Sequence, residues 1–583
     1  MRITTLTVKN FKGIDEHGVS IEFAPITLLF GPNNAGKSTV IQALHLAREV
    51  FCHPKPDLDT IEICGKGLDV GTFKNYVHKH DLNRQVRIGL QMKVDGLPVC
   101  GDELERQQWE GWNEVDTLLN RVHTVGVEIA IGWNYRAQRA ELSEYAVSIN
   151  GRVFTAMCFV AHANSVIADI SLFDVSDFLQ EGTWEKLREQ AEDVLRHHID
   201  ESPDDYGNKL LVLRDAVQEV MAEAMPPLLY PMADMRRVLT DITGSDELSS
   251  LAAGEVHTVR CDLGVGRVPD WNGWLPLELT DIYPEFDNDP QAFNHDFIMN
   301  CLTLFCSFVL SPGKLAQNIL DTLLYVGPLR AIPDRGFFRA QKPTAARWAE
   351  GLAAWDVLAT ASDAQLITIN QCLHGTDSLQ AGYTVCRKRL LSLEVESPLV
   401  PALRKLIMDD IDEGALPLLR DFLAQVPEIR LMIRNEATGV EVEPHDVGVG
   451  ISQVLPIIVA AVTAKHGALI AMEQPELHIH PAWQTALGDI FIRAVANMVN
   501  PPIFLLETHS EHLLLRLLRR IRHTHAGTAP ESVRLSSTAL AVHWIGNYEG
   551  RTEVYRLGLD EDGSFNTPWP EGFFDERGEE LFG

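Results

Sequence analysis

The chain has 583 residues, 45% of them hydrophobic and 22% charged, an ordinary globular composition with length enough for two cores or for one core with a large insertion. Fifty basic against 81 acidic side chains give a formal charge of −31, so most of the surface repels a phosphate backbone, and any nucleic-acid contact must be local or depend on a partner. Nine cysteines without a C-x-x-C pair read as reduced core residues, and the longest apolar candidate for a membrane span, Val454 to Met472, is broken by Lys465 and His466.

Alternating residues from Ile3 to Val8 open the chain as a strand rather than a signal peptide, so the expectation is a cytoplasmic protein without membrane contact. Asn10-Phe11-Lys12-Gly13 precedes a second strand, and Ile26-Thr27-Leu28-Leu29-Phe30 is suited to a buried third. Gly31-Pro32-Asn33-Asn34-Ala35-Gly36-Lys37-Ser38-Thr39 then fits G-x-x-x-x-G-K-[ST] in full. In such a loop, backbone N–H groups converge on phosphate oxygens, the lysine adds charge near the β and γ phosphates, and the next hydroxyl completes a magnesium shell. Asn33 to Thr39 are therefore candidate nucleotide ligands, with Ser38 also a candidate ligand of Mg2+. Val40, Ile41, Ala43, Leu44, Leu46 and Ala47 recur at helical spacing, which puts the phosphates at a helix N-terminus.

Val86 to Val94, Val125 to Ile131 and Tyr145 to Ile149 alternate like antiparallel strands, and Asn150-Gly151 signals a hairpin. Residues 170 to 325 read as mainly helical, with helices at Trp184 to His198 and Leu210 to Met225, turn-rich sequence from Pro226 to Gly273, and a buried stretch from Phe293 to Leu310. No heptad pattern persists, which excludes long coiled-coil arms. Tyr325-Val326-Gly327-Pro328-Leu329-Arg330-Ala331 could set Arg330 beside an anion, although a loop arginine more commonly pairs with a carboxylate. Arg335, Arg339, Lys342 and Arg347 extend this first basic island, best read as a solvated helix face. Residues 346 to 425 read as helix-rich, and 428 to 443 as two strands around Asn435 to Gly439.

Three later stretches bear on the same chemistry. Asp446-Val447-Gly448-Val449-Gly450-Ile451-Ser452-Gln453 leads into the apolar helix Val454 to Val462, making Gly448, Gly450 and Ser452 a candidate second phosphate-binding surface. The buried strand Ala468 to Met472 delivers Glu473 to its C-terminal end, where it fits the position of a metal-holding carboxylate. Ile503 to Leu506 ends in Glu507-Thr508-His509-Ser510 and places His509 at the same edge. Pro475 and Pro481 make a zinc site at His478 and His480 with Glu476 doubtful, and Asp560-Glu561-Asp562-Gly563 reads as a hairpin turn rather than a nuclease motif. A second basic island, Arg516, Arg519, Arg520, Arg522, His523 and His525, shares an amphipathic helix with Leu513, Leu514, Leu517 and Leu518, and is expected to face water or a partner.

The set GPNNAGKST, DVGVGISQVLP, EQPELHIHP and ETHSEH resembles the OLD/RecF-like branch of ABC ATPases, stand-alone and without a Toprim nuclease. The tail from Trp569 to Glu576 is similar to that of a subgroup including ATPases of Septu-type and retron-linked anti-phage systems, whose partner is an HNH nuclease. The resemblance covers the first fifty or so residues and everything from about 320. It implies two ATP molecules sandwiched with magnesium between two heads of a homodimer or higher oligomer, with Ser452 and its glycines facing the other subunit's phosphate loop. It implies catalytic places for Glu473, Gln474 and His509, a metal role for Glu473, and a nucleotide contact for Lys12.

The expected fold is α/β: an ABC-type head, with a mixed sheet around the phosphate loop and an antiparallel β part, carrying a mainly helical insertion. The corresponding division is 1–94 and 95–165 for the N-terminal and antiparallel parts of the head, 166–324 for the insertion, and 325–583 for the rest of the head. One residue departs from the family. In the commoner D-E-P-E-L-H form the second acid polarises the attacking water, and here that position is Gln474, which can orient water but accepts a proton poorly. The resemblance thus implies a slow ATPase governing an effector nuclease in phage defence. The alternatives are a RecF-like repair protein binding DNA itself and an ATP-sensing scaffold with negligible catalysis.

Overall fold

The computed structural model describes residues 1–59, 69–100, 112–161, 166–171, 258–263, 295–335, 342–375, 378–391, 416–425, 428–496 and 498–570, with short pieces between them. The expected helix at Leu210 to Met225, most of that at Trp184 to His198, Arg339 and the tail beyond Pro570 lie outside the described residues.

Strands β1 (Arg2–Lys9), β2 (Val19–Glu22) and β3 (Ile26–Phe30) lead into helix α1 (Lys37–Cys52). The strands β4 (Val86–Lys93), β5 (Thr124–Asn134), β6 (Arg139–Ile149), β7 (Arg152–Ala161), β8 (Val166–Ser171) and β9 (Thr258–Asp262) follow. They join β1 and β2 in an antiparallel sheet of order β9-β8-β7-β6-β5-β4-β1-β2. The Asn150-Gly151 turn has φ 48° and 89°, the two positive angles that a tight hairpin between β6 and β7 needs, and Ile149 pairs with Arg152 across it. The sequence-based boundary at 165 is corrected here: β8 and β9 carry the sheet into the segment expected to be mainly helical, because β8 pairs with β7 and β9 with β8.

Helix α2 (His295–Asp321) closes the buried face of this sheet. Phe154 and Phe173 meet Phe305 and Phe308 of α2 with ring centroids 4.8 to 5.7 Å apart, and the Tyr145 hydroxyl donates to the Val309 carbonyl at 3.0 Å. Among the described residues Asp296–Asp321, not Val454 to Met472, is long and apolar enough to cross a membrane, and 78% of its apolar window is buried inside the protein. Its apolarity is that of a core helix packed between α1 and the sheet.

Further along, the main elements include β10 (Leu324–Val326), α3 (Leu352–Thr360), α4 (Asp363–His374), β11 (Tyr383–Leu390), β12 (Glu428–Asn435), β13 (Glu441–Val442), α5 (Val449–Val462), β14 (Leu469–Glu473), α6 (Pro481–Val495), β15 (Ile503–Glu507), α7 (Glu511–His525), β16 (Leu540–Tyr548) and β17 (Arg551–Leu557). A second sheet runs β10-β14-β15-β3-β16-β17 and is parallel except for the β16–β17 hairpin. β3, β14 and β15 are buried at every position, as strands covered on both faces must be. Their side chains alternate between two cores: Leu29, Ala471 and Leu505 belong to the core shared with the antiparallel sheet, while Leu28, Met472 and Leu506 belong to that of α3 to α7. Beside them, β11, β12 and β13 form a small antiparallel sheet. β11 was not legible within a region read as helix-rich, since Tyr-Thr-Val-Cys-Arg-Lys-Arg-Leu lacks a regular apolar alternation, and pairing with β12 over eight positions fixes it as a strand.

Candidate functional site

The loop between β3 and α1 is shaped by backbone that only small residues allow. Gly31 has φ 145°, and a Cβ there would stand 1.9 Å from the Ile545 carbonyl oxygen. Gly36 has φ 106° and lies against Thr552 of β17, whose hydroxyl donates to the Ala35 carbonyl at 3.2 Å. Gly36 also occupies the N-cap of the sixteen-residue α1 without a side-chain cap, so the positive end of the helix dipole opens onto the loop. Asn33 and Asn34 are exposed at the tip, Ala35 is buried, and Thr39 sits in the first turn. Lys37 is buried, and its ammonium donates to the Gly31 and Pro32 carbonyls at 3.0 and 2.9 Å, which holds the loop around its own cation.

Two strand ends bring acids to this cation. Glu473 ends β14 and Glu507 ends β15, in register with each other across the parallel pair. The Ser38 hydroxyl is 2.8 Å from Glu507 Oε2 and 3.4 Å from Glu473 Oε2, Lys37 Nζ is 4.0 Å from Glu507 Oε1, and the Tyr325 hydroxyl donates to Glu473 Oε1 at 2.9 Å. Burial, and then the charge of Glu507, pushes the Glu473 carboxyl up to about 7, and burial also raises Glu507. The same burial lowers the Lys37 ammonium, against the pull of the carboxylates. Two carboxylates and a hydroxyl held out of water at one point form an oxygen set that suits a hard divalent cation, which would relieve the cost of keeping both acids ionised.

Gln474 turns the chain sharply at the end of β14, with φ 44°. Its N–H donates to the Glu507 carbonyl at 2.7 Å and its own carbonyl accepts from Arg330 at 2.9 Å. Glu476 accepts from the Thr508 hydroxyl at 2.8 Å and the His509 N–H at 2.7 Å, so its carboxylate anchors the segment that presents His509. Burial and the nearby Lys37 lower the His509 imidazole, keeping it neutral at pH 7.

The structure separates the three candidates at the start of α5. Gly448 is the exposed N-cap residue with open space around its Cα, and Gly450 is partly exposed beside Trp483. Ser452 is fully buried, so the expectation that it faces another subunit is corrected: two residues past Gly450 on a helix, its side chain points toward the core. Lys12, at φ 52°, donates from Nζ to Gln42 Oε1 on α1 at 2.6 Å, five residues along the chain from Lys37. Neither contact was readable from spacing.

Each basic island is partly paired with acids of its own chain. Arg347 grips the buried Asp356 at 2.8 and 3.1 Å, and Arg335 pairs with Asp446 at 2.5 Å. Arg520 holds Asp489 of α6 through two 2.7 Å bonds, with Arg516 at 3.4 Å from the same acid, while Arg519 and Arg522 are exposed. Arg330 makes no carboxylate pair among the described residues; it is 3% exposed and donates to main-chain carbonyls. His478 and His480 are exposed, and among the described residues no three His, Cys, Asp or Glu side chains form a group that could hold a metal ion. Asp560 to Gly563 form a turn closed by the Gly563 N–H to the Asp560 carbonyl at 3.0 Å. Glu507 and Tyr325 escaped the sequence reading. A polar residue closing an apolar strand, the signal used for Glu473, was present at Glu507 as well.

Two family models match the chain: an AAA ATPase domain over residues 1–94, and an AAA domain described as a putative AbiEii toxin of a Type IV TA system over residues 394–516. The phosphate import ATP-binding protein PstB of Cutibacterium acnes is 25% identical over 141 residues, 22% of this chain, and the chain spans about half of that relative, 55% of its length. An Smc head bound to the C-winged helix domain of ScpA aligns over 96% of this chain and 99% of its own at 10% identity and a TM-score of 0.34. The recombination mediator protein RecF aligns over 95% and 98% at 9% identity and a TM-score of 0.26. Those scores are too low for the likeness to bear on architecture. The parallel sheet with its phosphate loop and the antiparallel sheet beside it have the layout of an ABC-type ATPase head, and residues 1–94 and 394–516 are similar to AAA ATPase domains.

Proposed function

We propose that this chain is a slow, magnesium-dependent ATPase whose nucleotide state controls an associated effector, an HNH-type nuclease in anti-phage defence. One observation carries the catalytic part: Ser38, Lys37, Glu473 and Glu507 converge at one sheet edge although Ser38 and Glu473 are 435 positions apart. Backbone N–H groups of Asn33 to Thr39 and the Lys37 ammonium would hold the phosphates, and Ser38 with Glu473 and Glu507 would hold the metal. Magnesium held there would neutralise charge developing on the triphosphate. Gln474 lies next to Glu473 where the family's commoner form has a glutamate. An amide there orients water without taking its proton, and Glu476, engaged by Thr508 and His509, is not free to substitute. Losing a positioned base costs about a hundred- to ten-thousandfold in rate.

Exposed Gly448 and Val449 at the N-terminus of α5 support the two-head arrangement, since they offer an open helix start to a second subunit's triphosphate. The description of the second matched model as part of a toxin system accords with a regulatory rather than a transport role. The reading is tested by steady-state and single-turnover ATP hydrolysis on the pure protein. Slow turnover that rises on adding the partner nuclease supports it; fast steady-state cleavage by the protein alone, or binding to DNA at moderate salt without a partner, overturns the effector-control reading.

A further inference from the structure

The buried guanidinium of Arg330 joins the two halves of the candidate site. Its Nη2 donates to the carbonyls of Glu473 and Gln474 at 3.0 and 2.9 Å, and its Nη1 to the carbonyl of Gln453 at 3.4 Å. The bond is returned from the helix side, where Gln453 Nε2 donates to the Arg330 carbonyl at 2.7 Å. Gln453 lies in the first turns of α5, three residues past Gly450, while Glu473 and Gln474 form the corner at the end of β14. Space for this side chain is built in: Gly351 has φ 76°, and a Cβ there would stand 2.9 Å from that of Arg330.

Withdrawing a guanidinium from water costs several kcal/mol, and here main-chain carbonyls rather than a carboxylate offset it. A planar fork can bridge carbonyls of two elements at once, which a lysine ammonium on its single point cannot do in the same plane. Gln474, left-handed and therefore strained for a residue with a Cβ, is gripped on both sides by Glu507 and Arg330.

We propose that Arg330 is a positioning residue that makes the N-terminal turns of α5 and the Glu473–Gln474 corner one mechanical unit. This rests on the two-head reading above, in which α5 meets the triphosphate bound by the partner and the corner flanks the triphosphate bound by its own loop. Occupancy of one nucleotide site then sets the geometry of Gln474 at the other through a single side chain, and binding at the two sites is cooperative.

The test compares Arg330→Lys, which keeps the charge and loses the fork, with Gln453→Leu, which leaves the buried cation in place and breaks the return bond. Magnesium-ATP binding to the full chain, ATP-driven dimerisation by light scattering and the Hill coefficient of binding are measured together. Both variants are expected to bind ATP within about threefold of wild type, to dimerise at least about tenfold more weakly, and to show a Hill coefficient falling from about 2 toward about 1. A role in folding alone would lower melting temperature and leave the Hill coefficient unmoved. If Arg330→Lys does not fold, Gln453→Leu decides, and a wild-type Hill coefficient in that folded variant overturns the proposal. Lys37→Ala separates the two readings: wild-type ATP affinity in it defeats the nucleotide reading itself, whereas lost affinity there with cooperativity intact in the Arg330 and Gln453 variants defeats only the coupling.

Discussion

Ser38 and Glu507 are 469 positions apart in the chain and 2.8 Å apart in the fold, joined through a serine hydroxyl that also lies 3.4 Å from Glu473. The hydroxyl serves two acids that burial pushes toward protonation, and the ammonium nearest them, Lys37, is engaged with its own loop. An anion-rich, poorly hydrated point of this kind is relieved by a divalent cation or by removing one charge.

Glu507→Gln removes that charge without changing shape. The nucleotide-free protein is expected to keep or raise its melting temperature, while the magnesium-dependent part of ATP stabilisation weakens by about 1 to 2 kcal/mol, roughly tenfold in apparent metal affinity. Thermal shift with ATP across a magnesium titration measures both. An unchanged magnesium midpoint would remove Glu507 from the site.

Gln474→Glu restores a proton acceptor beside Glu473. Turnover at saturating ATP should rise at least about tenfold, with about a hundred- to ten-thousandfold as the ceiling set by general-base catalysis. Affinity for ATP should change little, because the corner's main-chain bonds to Glu507 and Arg330 do not involve the side chain. A rate equal to that of wild type would mean that proton transfer does not limit turnover.

His45 on α1 gives a pH prediction. Its imidazole is 1% exposed, meets the Tyr325 ring edge-on at 5.4 Å, and has no hydrogen-bond partner on either nitrogen among the described residues. Burial, with Arg48 adding to it, lowers it from 6.5 to about 3. Between those values the unfolded chain binds a proton that the folded chain refuses, so stability falls as pH drops below about 6.5, with a slope approaching 1.4 kcal/mol per pH unit. Replacing His45 with Leu should flatten that part of the acid limb in a series of unfolding curves. An equally steep limb in the variant would assign it to other groups.

The basic face of α7 separates by position. Arg520 is half of a bidentate pair with the nearly buried Asp489, so Arg520→Glu, which sets an acid against it and leaves only Arg516 at 3.4 Å, should destabilise the protein by about 3 kcal/mol, the scale for breaking a buried ion pair. Exposed Arg519→Glu should stay within about 0.5 kcal/mol of wild type. Equal effects in thermal unfolding would contradict the pairing.

The sequence by itself determined what is local. The loop pattern from Gly31 to Thr39, the strand from Ile26 to Phe30 and the Asn150-Gly151 turn follow from backbone sterics and short-range periodicity, and the structure places them at those residues. It also indicated that Glu473 closes one buried strand and that His509 lies just past the end of another, because apolar runs ending in polar residues are readable in one dimension. Only the tertiary structure decided which strand ends are neighbours: β15 lies between β3 and β14, which sets Glu507 against Ser38. It alone turned Ser452 into the core and gave Arg330 carbonyls instead of a carboxylate. The physical reason is that burial and pairing depend on what arrives from hundreds of positions away, and no spacing along the chain records that arrival.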